Sequence, residues 1–218
     1  MAKHFPKDYD PFEDLNDEPV VVPMVTYTEQ KSIPVWLDLL LTALITVAVV
    51  VVMRIFVADT YQVPTGSMLE TIQLGDRLVG EKISYRFRTP KAGEVVTFDD
   101  PSDPSVTLIK RVIATEGQTV DIDFALGIVY VDGEALDEPY INDLTYTPEG
   151  TEFPLRVPEG KVFLMGDNRN RSTDSRDSRI GTLDKRELIG KAVVLLFPGK
   201  NPMTEQRDFS RIGLLKLD

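Results

Sequence analysis

The chain has 218 residues, a formal net charge of −11, no cysteine and a single histidine. The lack of cysteine excludes thiol nucleophiles, disulfides and thiolate zinc sites, and one histidine leaves only carboxylate-based metal sites to consider. Strong acidity argues against a nucleic-acid partner, because affinity for nucleic acid comes mainly from clustered lysine and arginine.

The first 34 residues are acidic, interrupted by proline and poor in aliphatic side chains. This composition predicts a disordered tail over residues 1–34. The histidine, His4, lies in this tail, so a Ser-His-Asp triad has no base within a folded domain.

A long apolar run follows the tail, in which only Asp38 and Arg54 are charged and each lies near an end. About 20 apolar residues in a helix match the hydrocarbon core of a bilayer. We therefore predict a retained transmembrane anchor over residues 35–57, in preference to a buried core helix or a cleavable signal peptide. The flanking charges Lys31 and Arg54 leave the orientation of the anchor open.

The region 58–218 is long enough for one domain with its own core. Apolar and β-branched runs recur between turn residues, which predicts a mainly β fold with an antiparallel sheet and few short helices. The runs are RLVGEKISYRF (77–87), GEVVTFDDP (93–101), SVTLIKRVIATEG (105–117), TVDIDFALGIVYVDGE (119–134), KVFLMGDN (161–168) and KAVVLLFPG (191–199).

Turn and loop signals punctuate these runs. Asp132 and Gly133 are typical of a tight hairpin turn, because both tolerate positive φ. Residues 137–158 are rich in Pro, Glu and Thr, which predicts surface loops. Residues 182–190 predict a short helix with Thr182 as its N-cap.

A serine stands shortly after the anchor, within VPTGSM (63–68). Pro64 fixes the backbone before it and Gly66 removes a side chain, an arrangement that presents the hydroxyl of Ser67 to a substrate. The same letters are also typical of an ordinary turn. As a nucleophile the serine needs a base, and the remaining candidates are carboxylates, the amino terminus and lysines.

Lys110 interrupts an otherwise apolar strand, VTLIKRVI (106–113). One interpretation is a strand lysine whose ammonium group reaches water. The other is burial: lowering a lysine pKa from about 10.4 to about 8 requires roughly 3.3 kcal/mol against the charged form, which desolvation supplies. A neutral amine is then a usable general base near physiological pH.

A polar segment, GDNRNRSTDSR (166–176), directly follows an apolar strand. It is either a solvated loop or a cross-linked scaffold of carboxylates, guanidinium groups and hydroxyls. In the second case, one of its hydroxyls orients the lysine amine.

Taken in order, these segments resemble the type I signal peptidases, membrane-anchored Ser/Lys endopeptidases that remove signal peptides from exported proteins. The motifs that carry the resemblance are the anchor, VPTGSMLETI, GDRLVGEK, GEVVTF, LIKRVIATEGQ, VYVDGEALDEPYI, GDNRNRSTDSR and IGKAVVLLFP. The resemblance implies that Ser67 is the nucleophile and Lys110 the general base. It also implies that Thr65 and the backbone N–H of Ser67 form the oxyanion hole.

The same resemblance assigns supporting and substrate-binding residues. Ser172 matches the residue that orients the lysine, while Asp174 and Arg176 match a structural ion pair. The family cuts after small residues at positions −1 and −3 of a signal peptide that binds as an extended strand. The implied groove residues are Gln62, Val63, Pro64, Met68, Leu108 and Ile109.

The implied protein is a single-pass membrane enzyme with an extracytoplasmic catalytic domain. Its partners are signal peptides of exported preproteins and the lipid bilayer, without nucleic acid. It needs no metal or organic cofactor, because the chain supplies nucleophile, base and oxyanion donors. Its oligomeric state stays open.

The chain departs from the family pattern at several positions. Thr65 stands where serine is usual, Glu70 where proline is usual, and Arg171 where a small or amide residue is usual; residues 114–118 replace a Gly-x-Pro-Gly-Asp segment. Two other interpretations compete: a self-cleaving repressor with a related β fold, which would carry a DNA-binding module, and a non-enzymatic anchored module that binds extended peptides.

Overall fold

The computed structural model describes residues 34–201 and 204–215. Except for Pro34, the predicted tail over residues 1–34 and its His4 lie outside the described residues. Helix α1 (Val35–Phe56) follows at once and ends one residue before the predicted end of the anchor at 57. It has 22 residues, none of them buried, and it is long and apolar enough to cross a membrane.

The contacts between residues divide the chain into two units, residues 1–42 and residues 43–218. The described part of the first unit contains the start of α1. The second unit contains the rest of α1, the short helix α2 (Ser84–Phe87) and all the strands of the described chain.

The strands are short and follow one another closely. They are β1 (Ala58–Gln62), β2 (Arg77–Glu81), β3 (Val95–Asp100), β4 (Asp103–Thr115), β5 (Thr119–Asp123), β6 (Ile128–Val131), β7 (Glu134–Ala135), β8 (Leu155–Arg156), β9 (Lys161–Met165), β10 (Leu183–Asp184), β11 (Leu188–Phe197) and β12 (Gly213–Leu214).

Within residues 34–201 and 204–215, these strands form two antiparallel sheets. The larger has the order β1-β2-β11-β3-β4-β9-β10, with β12 paired to β11, and the smaller has the order β7-β6-β5-β8. The predicted mainly β, antiparallel fold with few short helices is confirmed. β4 pairs with β3 on one side, up to Arg111, and with β9 on the other side, from Arg111 to Thr115. Lys110 is therefore the last residue of β4 before the pairing with β9 begins.

Apolar side chains from the sheets pack into clusters that explain the sequence pattern. In β5 the burial alternates, with Val120 and Ile122 buried against the inner face of β6. This is the period-two pattern of a strand with one buried face. The predicted hairpin turn between β6 and β7 is confirmed, since Asp132 and Gly133 have φ values of 54° and 85°.

The prediction of a short helix over residues 182–190 is wrong. Leu183 is buried and pairs with Val162 of β9, so the segment begins as strand β10. A single 3₁₀ turn, Lys185–Glu187, follows, and its cap is Asp184 rather than Thr182. The helical pattern fails here because burial of Leu183 in the sheet core outweighs a weak local preference.

The surface loops predicted over residues 137–158 are only partly present. Several residues of the segment are exposed, but it contains strand β8 and the fully buried Thr145. Phe153 and Val157 pack against the core of the smaller sheet. Its backbone bonds partly to distant backbone groups, such as Gly127 and Gln118, and partly to the side chains of Asn170 and Arg176. Contacts of this kind leave no regular periodicity in the sequence.

Candidate active site

Ser67 lies in the turn that follows β1, with 8% of its surface exposed. The turn is fixed from beneath by Val63 and Met68, which are buried in one apolar cluster. A hydrogen bond within the turn, from the N–H of Ile72 to the carbonyl of Met68 at 2.8 Å, holds its backbone. The residues next to Ser67 therefore supply the packing that holds its hydroxyl in place.

Lys110 projects from β4 to this serine and is 2% exposed. Its Nζ lies 2.9 Å from Ser67 Oγ and 3.2 Å from the carbonyl oxygen of Ile109. The first distance is that of a good hydrogen bond. A neutral amine at this position is able to accept the hydroxyl proton as the serine attacks a carbonyl carbon.

Burial lowers the pKa of Lys110 from 10.5 to about 8. Carboxylates around the site oppose this effect and raise the pKa; they are Asp174, Glu149, Asp100 and Asp167. Desolvation is the larger effect because the ammonium form would lose its water. The amine is therefore about half neutral near pH 8 and mostly charged at lower pH.

The polar segment 166–176 holds the serine turn from the other side. The backbone N–H of Asn168 donates to the carbonyl of Ser67 at 3.0 Å, and its Nδ2 donates to the carbonyl of Gly66 at 2.9 Å. Next to it, Asp167 accepts a hydrogen bond of 2.6 Å from the Thr71 hydroxyl. Asp167 also forms a bidentate pair with the buried Arg111, at 2.9 and 2.8 Å.

Asp174 and Arg176 form a fully buried bidentate ion pair, with hydrogen bonds of 2.9 and 2.8 Å. Asp174 also accepts from the backbone N–H of Gly166 at 2.9 Å. A buried pair survives only when its remaining hydrogen-bonding capacity is also satisfied, as it is here. The pair closes the segment 166–176 into a rigid loop.

Ser172 is buried at 4% exposure inside this loop. Its hydroxyl has no hydrogen-bond partner among the described residues, so the contact with Lys110 implied by the resemblance is not among the hydrogen bonds of the structure. The hydroxyl instead packs closely against Gly166, where an added Cβ would lie 2.2 Å from Ser172 Oγ. Position 166 therefore has to be glycine for Ser172 to occupy this place.

The hydroxyl of Thr65 lies 3.4 Å from Ser67 Oγ. It is thus on the same side of the turn as the hydroxyl that would attack a substrate. An oxyanion donor has to lie beside the nucleophile, and the position of the Thr65 hydroxyl is consistent with this role.

The predicted groove residues fall into different environments. Val63, Met68 and Ile109 share one buried cluster, whereas Leu108 packs against a different cluster with Val96 and Phe98 of β3. Adjacent strand residues point to opposite faces, which explains why Leu108 and Ile109 separate. The other two predicted groove residues, Gln62 and Pro64, are exposed.

The strand edges near the site have unpaired stretches. Among the described strands, β1 is terminal and pairs only with β2, and β4 is paired on one side only between Thr107 and Lys110. An unpaired strand edge presents backbone groups to which an extended peptide can add.

Sequence reasoning missed the partners that support the segment 166–176 from a distance. Glu138 pairs with the fully buried Arg169, and the ring of Tyr140 lies 3.7 Å from Cζ of Arg111. Thr71 belongs to the same network. All three residues lie within motifs that carry the resemblance, but no local pattern shows what they contact, because each acts on a segment far away in the chain.

A family model and several curated relatives match most of the chain. A family model described as "Signal peptidase, peptidase S26" matches residues 36–197. The protein named "Probable signal peptidase I-1" of Synechocystis sp. is 42% identical over 176 residues, which are 78% of this chain and 83% of the relative. "Probable signal peptidase I-2" of the same organism is 39% identical over 190 residues, 84% of this chain and 78% of the relative. "Signal peptidase I" of Mycobacterium tuberculosis is 34% identical over 208 residues, 72% and 70% of the two chains.

A solved structure is also similar. It is a signal peptidase I from Enterococcus faecalis, 30% identical, which covers 48% of this chain and 97% of its own, with a TM-score of 0.40.

Proposed function

We propose that this chain, which belongs to the signal peptidase family (peptidase S26), is a serine endopeptidase that removes signal peptides from exported preproteins, with Ser67 as nucleophile and Lys110 as general base. The observation that carries the proposal is the distance of 2.9 Å between Ser67 Oγ and Lys110 Nζ inside a buried site. The named relatives support the reaction class.

In the proposed mechanism, the Ser67 hydroxyl attacks the scissile carbonyl carbon while its proton passes to the neutral amine of Lys110. The resulting oxyanion accepts hydrogen bonds from the Thr65 hydroxyl and the Ser67 backbone N–H, of which each is worth roughly 2.7–4 kcal/mol in the transition state. The lysine then gives its proton to the leaving amine. Water hydrolyses the acyl-enzyme by the same route, and the lysine again accepts a proton.

Ser172, Asp174 and Arg176 support this machinery without contact with the substrate. Asp174 and Arg176 keep the loop 166–176 closed, and the loop in turn holds the carbonyl groups of Gly66 and Ser67. We assign Ser172 the role of orienting the lysine, which requires a rotation of its hydroxyl toward Nζ when substrate binds.

The substrate binds as an extended strand between the edges near Gln62–Pro64 and Leu108–Ile109 in this proposal. Backbone hydrogen bonds supply affinity, and alternate side chains of the substrate enter pockets. We assign the small pockets for positions −1 and −3 to the surface formed by Val63, Met68 and Ile109, which share one buried cluster, and Met68 directly follows the nucleophile.

Helix α1 anchors the enzyme in the membrane as a single pass, with the catalytic domain on the export side and residues 1–34 in the cytoplasm. Exported preproteins present their cleavage sites on that side of the membrane. The chain contains no cysteine, so Ser102→Cys, in an exposed turn, creates a single site for an impermeant maleimide. Labelling of sealed right-side-out vesicles supports this topology, and labelling only after lysis contradicts it.

The function is tested by incubating the full chain in detergent with a preprotein and sequencing the N-terminus of the product. The wild-type protein is expected to cut after a small residue at −1, whereas Ser67→Ala and Lys110→Ala leave the preprotein intact. Ser105→Ala and Lys91→Ala, at exposed positions, are the matched controls and retain cleavage. Cleavage by Ser67→Ala at the wild-type rate would rule out this mechanism.

A further inference from the structure

Residues 136–151, called the strap below, lie along the loop 166–176 and are attached to it by side chains of that loop. Arg169 pairs with Glu138 through two hydrogen bonds, one of 2.8 Å from Nη1 and a shorter one from Nη2. The same Nη1 donates to the Thr145 hydroxyl at 3.0 Å. Asn170 donates to the carbonyl of Leu144 at 2.9 Å.

The attachment continues along the second half of the strap. Arg176 donates to the carbonyl of Thr147 at 3.1 Å, and its own carbonyl accepts from the N–H of Thr151 at 2.9 Å. Asn170 Oδ1 accepts from the N–H of Tyr146 at 3.0 Å. The strap is therefore bound by the same arginines and asparagine that shape the loop next to the nucleophile.

Tyr140 connects the strap to the strand of the general base. Its ring lies over the guanidinium of Arg111, with Cζ 3.7 Å from the ring centroid, and its hydroxyl donates to Glu138 at 3.0 Å. Arg111 directly follows Lys110 and pairs with Asp167. A planar guanidinium held between a carboxylate and an aromatic face has little freedom to move.

We propose that the strap is a positioning element for catalysis and that Tyr140 is its central positioning residue. By fixing Arg111 and Arg169 together, it keeps the strand of Lys110 and the turn of Ser67 in the register that places Nζ and Oγ 2.9 Å apart. This role rests on the proposed function of the Ser67–Lys110 pair.

The buried charges in the network make the positions of Lys110 and Ser67 sensitive to the loss of any one contact. Arg111 and Arg169 are fully buried, and a buried charge whose partner is removed rearranges or admits water. Loosening of the strap therefore disturbs the position of the Lys110 amine and lets water reach it. Misplacement of a reacting group by about 1 Å can lower a rate by about 100-fold.

The surroundings of Lys110 define what a pH profile would report. The carboxylates that act on its amine are Asp174, Glu149, Asp100 and Asp167, and Glu149 belongs to the strap. One oxygen of Glu149 is buried without a hydrogen-bond partner among the described residues. Water that enters when the strap loosens would hydrate the amine of Lys110 and bring its pKa from about 8 back toward 10.5.

The test compares Tyr140→Leu with Tyr140→Phe in the full chain, measured as kcat and KM for preprotein cleavage across pH. Tyr140→Leu is expected to lower kcat between about 10-fold and 100-fold, with KM changed less than about twofold, and to move the acid limb of kcat/KM to higher pH. Tyr140→Phe keeps the ring over Arg111 and is expected to restore kcat to within about twofold. Tyr130→Leu, a partly buried tyrosine of β6, is the matched control and leaves both parameters unchanged.

A second variant covers the case in which Tyr140→Leu does not fold. Glu138→Gln keeps the shape of the side chain and removes the charge that faces Arg169, so a fall in kcat with an upward move of the acid limb is again expected. Wild-type kcat and acid limb in Glu138→Gln or in folded Tyr140→Leu would overturn the role of the strap. Absence of cleavage by the wild-type chain would instead refute the proposed function.

Discussion

Replacement of Lys110 by methionine is expected to stabilise the protein while it abolishes cleavage. Below pH 8 the lysine is protonated in both the folded and the unfolded chain, and the folded chain carries the penalty of a buried ammonium group. Lowering the pKa from 10.5 to about 8 corresponds to roughly 3 kcal/mol against the charged form. Methionine has a similar length and removes this penalty, but it also removes the two hydrogen bonds of Nζ, at about 1 kcal/mol each.

The net gain in the free energy of unfolding at pH 6.5 is therefore between about 1 and 3 kcal/mol. Its pH dependence follows from the direction of the shift. Between pH 8 and 10.5 the unfolded chain binds the proton that the folded chain has lost, so wild-type stability rises with pH and the advantage of methionine disappears.

The assay is urea unfolding of the full chain in detergent at pH 6.5, 8 and 10, followed by circular dichroism and compared with preprotein cleavage. Lys91→Met, at an exposed position, is the control and shows no such pH-dependent gain. A Lys110→Met variant that is less stable than the wild type at pH 6.5, or whose difference does not change with pH, would refute the reasoning.

Three further predictions concern the site. The kcat/KM for preprotein cleavage should rise with pH through about 8 and then level, because the base must be neutral; a flat profile from pH 6 to 9 would contradict this. Thr65→Val should lower kcat between about 100-fold and 1,000-fold with little change in KM, and Thr65→Ser should restore it; unchanged kcat in Thr65→Val would remove this hydroxyl from the oxyanion hole. Asp174→Asn should destabilise the fold by about 3–5 kcal/mol in a urea titration, since Arg176 stays buried without its partner, while Asp184→Asn, from an exposed pair, serves as control. Equal effects of the two substitutions would show that the buried pair has no special role.

The parts of the fold that follow from local chemistry were predictable from the sequence. Asp132 and Gly133 fix a turn by their own backbone preferences, and the apolar neighbours of Lys110 show that its strand is buried. The mainly β fold follows from β-branched runs separated by turn residues, and the length of α1 from a single apolar run.

The parts that depend on long-range contacts were not predictable. Residues 182–190 carry a weak helical pattern, and only the pairing of Leu183 with Val162 makes the segment begin as a strand. Nothing near Tyr140 in the sequence shows that its ring covers Arg111. The environments of the predicted groove residues were not predictable either, because the separation of Leu108 from Ile109 depends on which face of β4 meets which cluster.

The ionisation of Lys110 can be measured directly by NMR of the full chain in detergent with ¹³C at the lysine ε carbons. The resonance that is missing from Lys110→Met identifies the residue, and its shift is then followed as a function of pH. We expect it to titrate near pH 8, well below the other lysines. Titration near 10.5, together with the surface lysines, would show that the amine is hydrated and charged and that it is not the base that activates Ser67.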